Sequence, residues 1–195
     1  MQHFGYFVAF RKGEVMTAVE PIRSKNTIKS IEDNLKETNF RDYVLFCFGI
    51  NSGLRISDIL KLNVKDVRNK NILRLTELKT GKYKIVPFNS KIKRILQAYT
   101  KNRNPNEPLF VTKFNNRMDR ITAYRLLNRV CNLMNLDIKI GTHTLRKTFG
   151  YHFYKQYKDV VMLQKIFNHS NPSITLRYIG IEQDEVYKSY ENFIL

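Results

Sequence analysis

The stretch GTHTLRKTFGYHF, residues 141–153, decides how this chain is read. It has the pattern of a helix, with Thr142 in the place of a capping hydroxyl. His143 and Arg146 are three residues apart, so they share one face of that helix. They also fall in its first turn, where backbone N–H groups lack partners and the helix dipole favours an anion. A histidine and an arginine placed there form a small anion-binding pair. The same two residues also read as a core histidine and a solvated arginine, and only the rest of the chain separates the two readings.

The chain has 195 residues, enough to bury a core in one domain. Its hydrophobic content of 43% excludes a disordered tail. Lys and Arg number 34 against 17 Asp and Glu, a net charge of +17. An excess of that size opposes compaction and points to a polyanionic partner, nucleic acid first. An anionic membrane surface is the second candidate, but no basic amphipathic stripe or lipidation motif accompanies the charge. No segment is long enough to span a bilayer. The opening MQHFGYFVAF is apolar, but its basic residues follow it, the reverse of a signal peptide. Cys47 and Cys131 lie in apolar helical contexts and read as buried thiols of a reducing compartment. The chain is therefore expected in the cytoplasm.

Residues 1–21 show no helical period and read as an N-terminal extension closed by Pro21, with Met16 as a second candidate start. SKNTIKSIEDNLKETN places Ile28, Ile31 and Leu35 at helical spacing behind Ser, Asn and Thr caps. FRDYVLFCFGINSG predicts a nearly all-apolar helix ending at Gly53, and RISDILKL a short third helix. NILRLTELKTGKYKIVPF reads as two strands around the turn Lys79-Thr80-Gly81-Lys82. Further helices are predicted behind Asn89, over RITAYRLLNRVCNLMNL, and in two short segments, DVVMLQKIFNHS and NPSITLRYIG. Val186, Tyr190, Phe193 and Ile194 form an apolar stripe in the tail. The expected fold is α+β, mainly α, as one domain over 22–195 with a small antiparallel hairpin and a tail helix over 182–195.

Several other residues carry chemistry. Arg55 opens a helix, where its charge opposes the dipole, a placement that makes sense if the site holds an anion. Lys79 stands on the hairpin turn beside Gly81, where most lysines are solvated. His169 ends an apolar helix before the turn SNPS and reads alone as a capping or surface histidine. Tyr178 reads alone as a half-buried tyrosine. Asp58 and Asp66 read as solvated, and no acidic cluster resembles a Mg²⁺ site.

Together these residues resemble the tyrosine recombinase (phage integrase) family. The motifs are Arg55 in SGLRISDILKL, Lys79 in LKTGK, His143 and Arg146 in HTLR, His169 in FNHSNPSITLRY, and Tyr178 nine residues further on. Each is weak alone, but six positions in order with matching neighbours are specific. The resemblance runs from about Pro21 to the C terminus. It implies the recombinase catalytic-domain fold and a site-specific DNA recombinase or integrase of a phage or mobile element. Tyr178 would attack a scissile phosphate and form a 3′-phosphotyrosyl link, releasing a 5′-hydroxyl. Arg55 and Arg146 would clamp the non-bridging oxygens, and His143 and His169 would hydrogen-bond the phosphate, with His143 also accepting a proton. Lys79 would be the general acid for the leaving oxygen. Bond energy is conserved, so the resemblance implies no cofactor, neither ATP nor a metal.

The physical chemistry of the residues agrees. A free tyrosine has a pKa of about 10 and is a poor nucleophile at neutral pH, and nearby cations with a proton acceptor are the usual remedy. Most relatives carry a separate N-terminal domain that clamps the far side of the DNA, whereas few residues here precede the catalytic pattern. That departure leaves room for an accessory partner protein. In relatives the C-terminal helix passes to a neighbour, which implies a homo-oligomer, a tetramer, on double-stranded DNA. Two alternatives stay open: a non-catalytic DNA-binding regulator on the same fold, and a topoisomerase-like nicking and resealing enzyme.

Overall fold

The computed structural model of the chain describes residues 19–136, 138, 140–181, 190, 192 and 193. Helix α1 (Lys25–Thr38) starts where the Ser24 hydroxyl accepts the Thr27 N–H at 3.1 Å. Helix α2 (Phe40–Ser52) is capped by Asn39 and ends at Gly53, whose φ of +62° suits glycine. Its residues from Tyr43 through Gly49 are all buried, as expected of a helix that is apolar all round. Two short helices follow, α3 (Ile56–Leu60) and α4 (Val64–Val67). Strands β1 (Ile72–Thr76) and β2 (Tyr83–Pro87) then pair antiparallel, from Ile72 opposite Pro87 to Thr76 opposite Tyr83. Leu73, Leu75, Lys84 and Val86 point inward.

Helices α5 (Ser90–Thr100) and α6 (Arg120–Leu133) are capped by the side chains of Asn89 and Asp119. They complete the main core around α2 with α1 and the inner face of the hairpin. The last three helices are α7 (Thr144–Tyr157), α8 (Val160–Phe167) and α9 (Pro172–Tyr178). Helix α7 runs between two cores. Leu145 faces the main one, so closely that a Cβ on Gly49 of α2 would lie 2.5 Å from it. Phe149 and Phe153 face a second, small core built on Leu163, Phe167 and Ile179. Burying those three residues stabilises by roughly 5 to 9 kcal/mol, and α9 rests on them.

The structure corrects two readings of the sequence. Thr142 does not cap α7. The Gly141 N–H donates to the Thr144 hydroxyl and the Thr144 N–H returns to the Gly141 carbonyl, both at 3.0 Å. This closed turn holds Thr142 in its middle and makes His143 the N-cap, without a side-chain cap bond. Asp58 and Asp66 are not simply solvated. Asp58 is fully buried and accepts the Leu78 N–H at 2.8 Å, and Asp66 accepts the Asn63 N–H at 2.7 Å ahead of α4.

The Val19 carbonyl accepts from the Lys147 ammonium at 2.7 Å. Pro21 and Ile22 are buried, and the Ile22 N–H donates to the Thr148 hydroxyl. Both cysteines are buried and free, and burial pushes the Cys47 thiol up to about 12 and the Cys131 thiol to about 11, so neither is reactive. Residues 1–18 and the tail helix over 182–195 lie outside the described residues, apart from Tyr190, Asn192 and Phe193. No helix among the described residues is long and apolar enough to cross a membrane.

Candidate active site

Tyr178 is the last residue of α9, and its ring is held edge-on against Phe167 and His169, with centroids 5.5 and 5.1 Å away. Its hydroxyl lies 3.0 Å from Nδ1 of His143, the N-cap of α7. The Lys147 ammonium stands 5.3 Å from the centre of the same ring. Burial raises the Tyr178 pKa, while the charges of Arg146 and Arg55 pull it back down. The His143 pKa is lowered by desolvation, then by the charges of Arg146, Lys147, Arg120 and Lys79. The imidazole that meets the tyrosine hydroxyl is therefore neutral near pH 7, and in the tautomer with its proton on Nε2 its Nδ1 can take the hydroxyl proton.

Arg146 is 2% exposed. It donates to the Gly53 carbonyl at 2.7 Å and the Phe167 carbonyl at 2.8 Å, and it lies over the Phe167 ring. Those two bonds occupy two of the five N–H groups of a guanidinium and lock its plane between the end of α2 and the end of α8. Arg55 is the N-cap of α3 with extended backbone, two residues after the left-handed Gly53. Its Nη1 is 2.8 Å from the Glu77 carboxylate as an ion pair, but the N–H is not aligned for a hydrogen bond and stays an unsatisfied donor.

His169 follows the left-handed Asn168 that ends α8. Its Nδ1 lies 3.0 Å from the Thr175 hydroxyl. Desolvation, and then the charges of Arg146, Arg55 and Lys84, push its pKa down to about 4, so the ring is neutral at pH 7. A hydroxyl that donates to Nδ1 leaves an Nε2–H free as a donor to a phosphate. Lys79 stands on the exposed hairpin turn and makes no hydrogen bond or ion pair among the described residues. Its charge reaches His143, which puts it on the same side of the molecule.

The structure thus gathers Arg55, His143, Arg146, His169 and Tyr178 at one place, with Lys79 on the loop beside it. Reading the sequence residue by residue missed the layer beneath. Glu77 is fully buried and meets Arg55, Thr80 and Lys84. Lys84 is 9% exposed and donates to the Ile166 carbonyl at 2.7 Å. The signal was present in the hairpin. Leu73, Leu75 and Glu77 alternate, as do Lys84 and Val86, which puts the acid and the lysine on the inward face. Beside His143 an open cleft of about 700 Å³ is lined by Lys61, Arg117, Arg120, Ile121, Tyr124 and Thr142, cations over an apolar floor.

Residues 23–185 match the family described as the phage integrase family. The chain is 50% identical over 179 residues to "Probable integrase/recombinase YoeC" of Bacillus subtilis (strain 168), covering 91% of this chain and 98% of that protein. It is 28% identical over 169 residues to "Tyrosine recombinase XerA" of Pyrococcus horikoshii, covering 84% of this chain but 57% of that one. Among solved structures, a crystal structure of XerA recombinase superposes with a TM-score of 0.73 at 21% identity, over 89% of this chain and 65% of that one. The catalytic domain of bacteriophage HP1 integrase does so with a TM-score of 0.63 at 18% identity, over 89% and 95%. Both superpositions are matches of fold, whereas the family match spans most of the sequence and one relative is half identical along nearly its whole length. This chain belongs to the phage integrase family, as a tyrosine recombinase catalytic domain.

Proposed function

We propose that this chain is a site-specific recombinase that cuts and rejoins double-stranded DNA through a 3′-phosphotyrosyl intermediate on Tyr178. The observation that carries the reading is the Tyr178 hydroxyl 3.0 Å from a histidine nitrogen, at the edge of a cluster of buried cations. The tyrosine oxygen attacks the phosphorus while its proton passes to His143 Nδ1. The phosphorus–oxygen bond to the 5′ side breaks, and Lys79 supplies the proton to the leaving oxygen. Arg55 and Arg146 take the non-bridging oxygens, and His169 donates from Nε2. Reversal by a 5′-hydroxyl of a second strand reseals the DNA with no net change in bond energy. Phosphoryl transfer of this kind relies on positioning and charge stabilisation.

In this reading, residues 22–195 are the catalytic domain and residues 1–21 an extension of it. The cationic cleft beside His143 lies against the DNA. Strand exchange needs two cut duplexes held together, so the working form is a homo-oligomer, a tetramer, with an accessory protein where one domain grips the DNA too weakly. Such a protein works where the DNA is, in the cytoplasm. The test is covalent trapping. Purified protein is incubated with nicked duplexes made from the DNA flanking its gene, and the products run on a denaturing gel. A protein–DNA adduct that disappears with Tyr178→Phe, while DNA binding persists, is the expected result. No adduct, or an adduct that survives the substitution, overturns the reading. Strand exchange between two sites then separates a recombinase from an enzyme that only nicks and reseals.

A further inference from the structure

Beneath the cation cluster lies a carboxylate that meets the start of α3, both sides of the hairpin turn and the end of α8. Glu77 follows the inward-facing Leu73 and Leu75, just past the end of β1, and its side chain is fully buried. Oε2 lies 2.8 Å from Arg55 Nη1, accepts from the Thr80 hydroxyl at 2.7 Å, and lies 3.5 Å from Asn168 Nδ2. Oε1 faces the Lys84 ammonium at 3.6 Å and has no hydrogen-bond partner of its own. Each contact is next to a residue facing the site. Arg55 is one itself. Thr80 adjoins Lys79. Asn168 adjoins His169. Lys84 bonds the Ile166 carbonyl, and the next carbonyl, that of Phe167, holds Arg146.

We propose that Glu77 is a positioning residue of the strand-transfer reaction, a buried carboxylate that fixes Arg55 and the Lys79 turn against the scissile phosphate. The role rests on the functional reading given above. The geometry separates it from a plain structural ion pair. A carboxylate present only to neutralise Lys84 would sit in hydrogen-bond contact with that ammonium. Here the lysine is the most distant of the charged partners, and the short contacts go to Arg55 and to the hydroxyl beside Lys79. Glu77 also opposes the repulsion among Arg55, Lys84 and Arg146. In its absence Arg55 loses its 2.8 Å ion pair and is left beside the charges of Arg146 and Lys84.

The burial of Lys84 bears on the direction of the effect. Desolvation, and then the charge of Arg146, already hold its pKa down to about 8, and Glu77 is the group that raises it. When Glu77 loses its charge, the Lys84 pKa falls further toward neutral pH. That fall partly offsets the missing negative charge, and what is lost is the placement of Arg55.

The experiment uses the full chain and the nicked duplex that the parent cleaves, and it measures DNA affinity, single-turnover cleavage and melting temperature. Glu77→Gln keeps the shape and is expected to bind DNA as the parent does while cleaving about 10- to 100-fold more slowly, the usual effect of losing a partner one shell behind a reacting group. In an Arg55→Ala background the same change should slow cleavage less than about 2-fold further, since groups acting through one another are not additive. The double variant Glu77→Gln with Lys84→Met removes both buried charges. It should recover the melting temperature but not the cleavage rate. Three results would overturn the role: parent-like cleavage by Glu77→Gln, the full 10- to 100-fold loss again without Arg55, or recovery of cleavage together with stability in the double variant. A parent chain that forms no covalent adduct overturns the functional reading, and this role with it.

Discussion

Replacing Gly150 by alanine tests whether the packing under α9 sets the position of the nucleophile. A Cβ at Gly150 would lie 2.6 Å from Ile179 Cγ2 and 2.7 Å from two ring carbons of Phe167. Those neighbours are two of the three fully buried residues of the small core. Ordinary contact begins at 3.4 Å, so Ile179 must recede by about 0.8 Å. Ile179 is bonded to Tyr178, and Phe167 both packs on the Tyr178 ring and supplies a carbonyl to Arg146. The nucleophile and one clamp therefore shift together.

Two effects on stability oppose each other. Alanine in a helix interior gains about 1 kcal/mol over glycine, and overpacking a filled core costs about 1–3 kcal/mol. The net is a destabilisation of about 0–2 kcal/mol, a fall in melting temperature of at most about 8 °C for a chain of this size. The effect on chemistry does not cancel, because a misplacement of about 1 Å at a reacting centre costs on the order of 100-fold. Gly150→Ala is thus expected to bind DNA normally, melt within a few degrees of the parent, and cleave about 10- to 100-fold more slowly. Cleavage is measured well below the melting transition, in single turnover on the nicked duplex. A variant that melts higher and cleaves like the parent would refute the argument, since helix propensity alone would then account for the position.

Three other outcomes follow from the site and the composition. Arg146→Ala should lower cleavage by about 10²- to 10³-fold. It should also lower the melting temperature, because the Gly53 and Phe167 carbonyls each lose a buried donor at about 1–3 kcal/mol; parent-like cleavage would refute the clamp. Acid should act twice. His143 titrates below its ordinary 6.5, so the cleavage rate should be flat above that pH and fall beneath it. His169 titrates near 4 when folded against 6.5 when unfolded, so its contribution to stability is present above 6.5 and lost as pH falls to about 4. That contribution is at most about 3 kcal/mol; His169→Gln should flatten the melting temperature over that window, and an acid limb in cleavage centred above pH 7 would refute the His143 assignment. With a net charge of +17, DNA affinity should fall about a thousandfold between 50 and 200 mM salt if roughly six phosphates are neutralised; a nearly flat response in a filter-binding titration would refute charge-driven binding.

Local signals read well in the sequence. Ser24 and Asn89 cap their helices by accepting a backbone N–H, and Gly53 ends α2 in the left-handed region. Each of these depends on a side chain and backbone within a few residues, which spacing reveals. The failures are non-local or competitive. Thr142 and Thr144 both offer a hydroxyl, and the turn closed by Thr144 onto Gly141 decided where α7 starts. Asp58 reads as solvated until the hairpin, 20 residues on, brings the Leu78 N–H to it. Val19 and Ile22 bond to α7 residues more than 120 positions away, which no periodicity in the first residues signals.

The site also shows why such a cluster costs stability and what that cost does. Arg146, Lys84, His143 and His169 all have depressed pKa values, and desolvation leads in each case; neighbouring cations come next for Lys84, His143 and His169, whereas for Arg146 Tyr178 opposes the shift before Arg55 adds to it. Each group is therefore less stable charged where it stands than in water. Glu77, held down to about 2 because Thr80, Arg55 and Lys84 outweigh the penalty of its burial, offsets part of the repulsion from below. A phosphodiester would offset more of it from above. The pentacovalent transition state carries more negative charge on the same oxygens and would offset most. Donors that are already desolvated and fixed by carbonyls, as Arg146 is by Gly53 and Phe167, need no reorganisation when that charge appears. The interaction then grows along the reaction coordinate, which is the condition for it to raise the rate and not only the affinity.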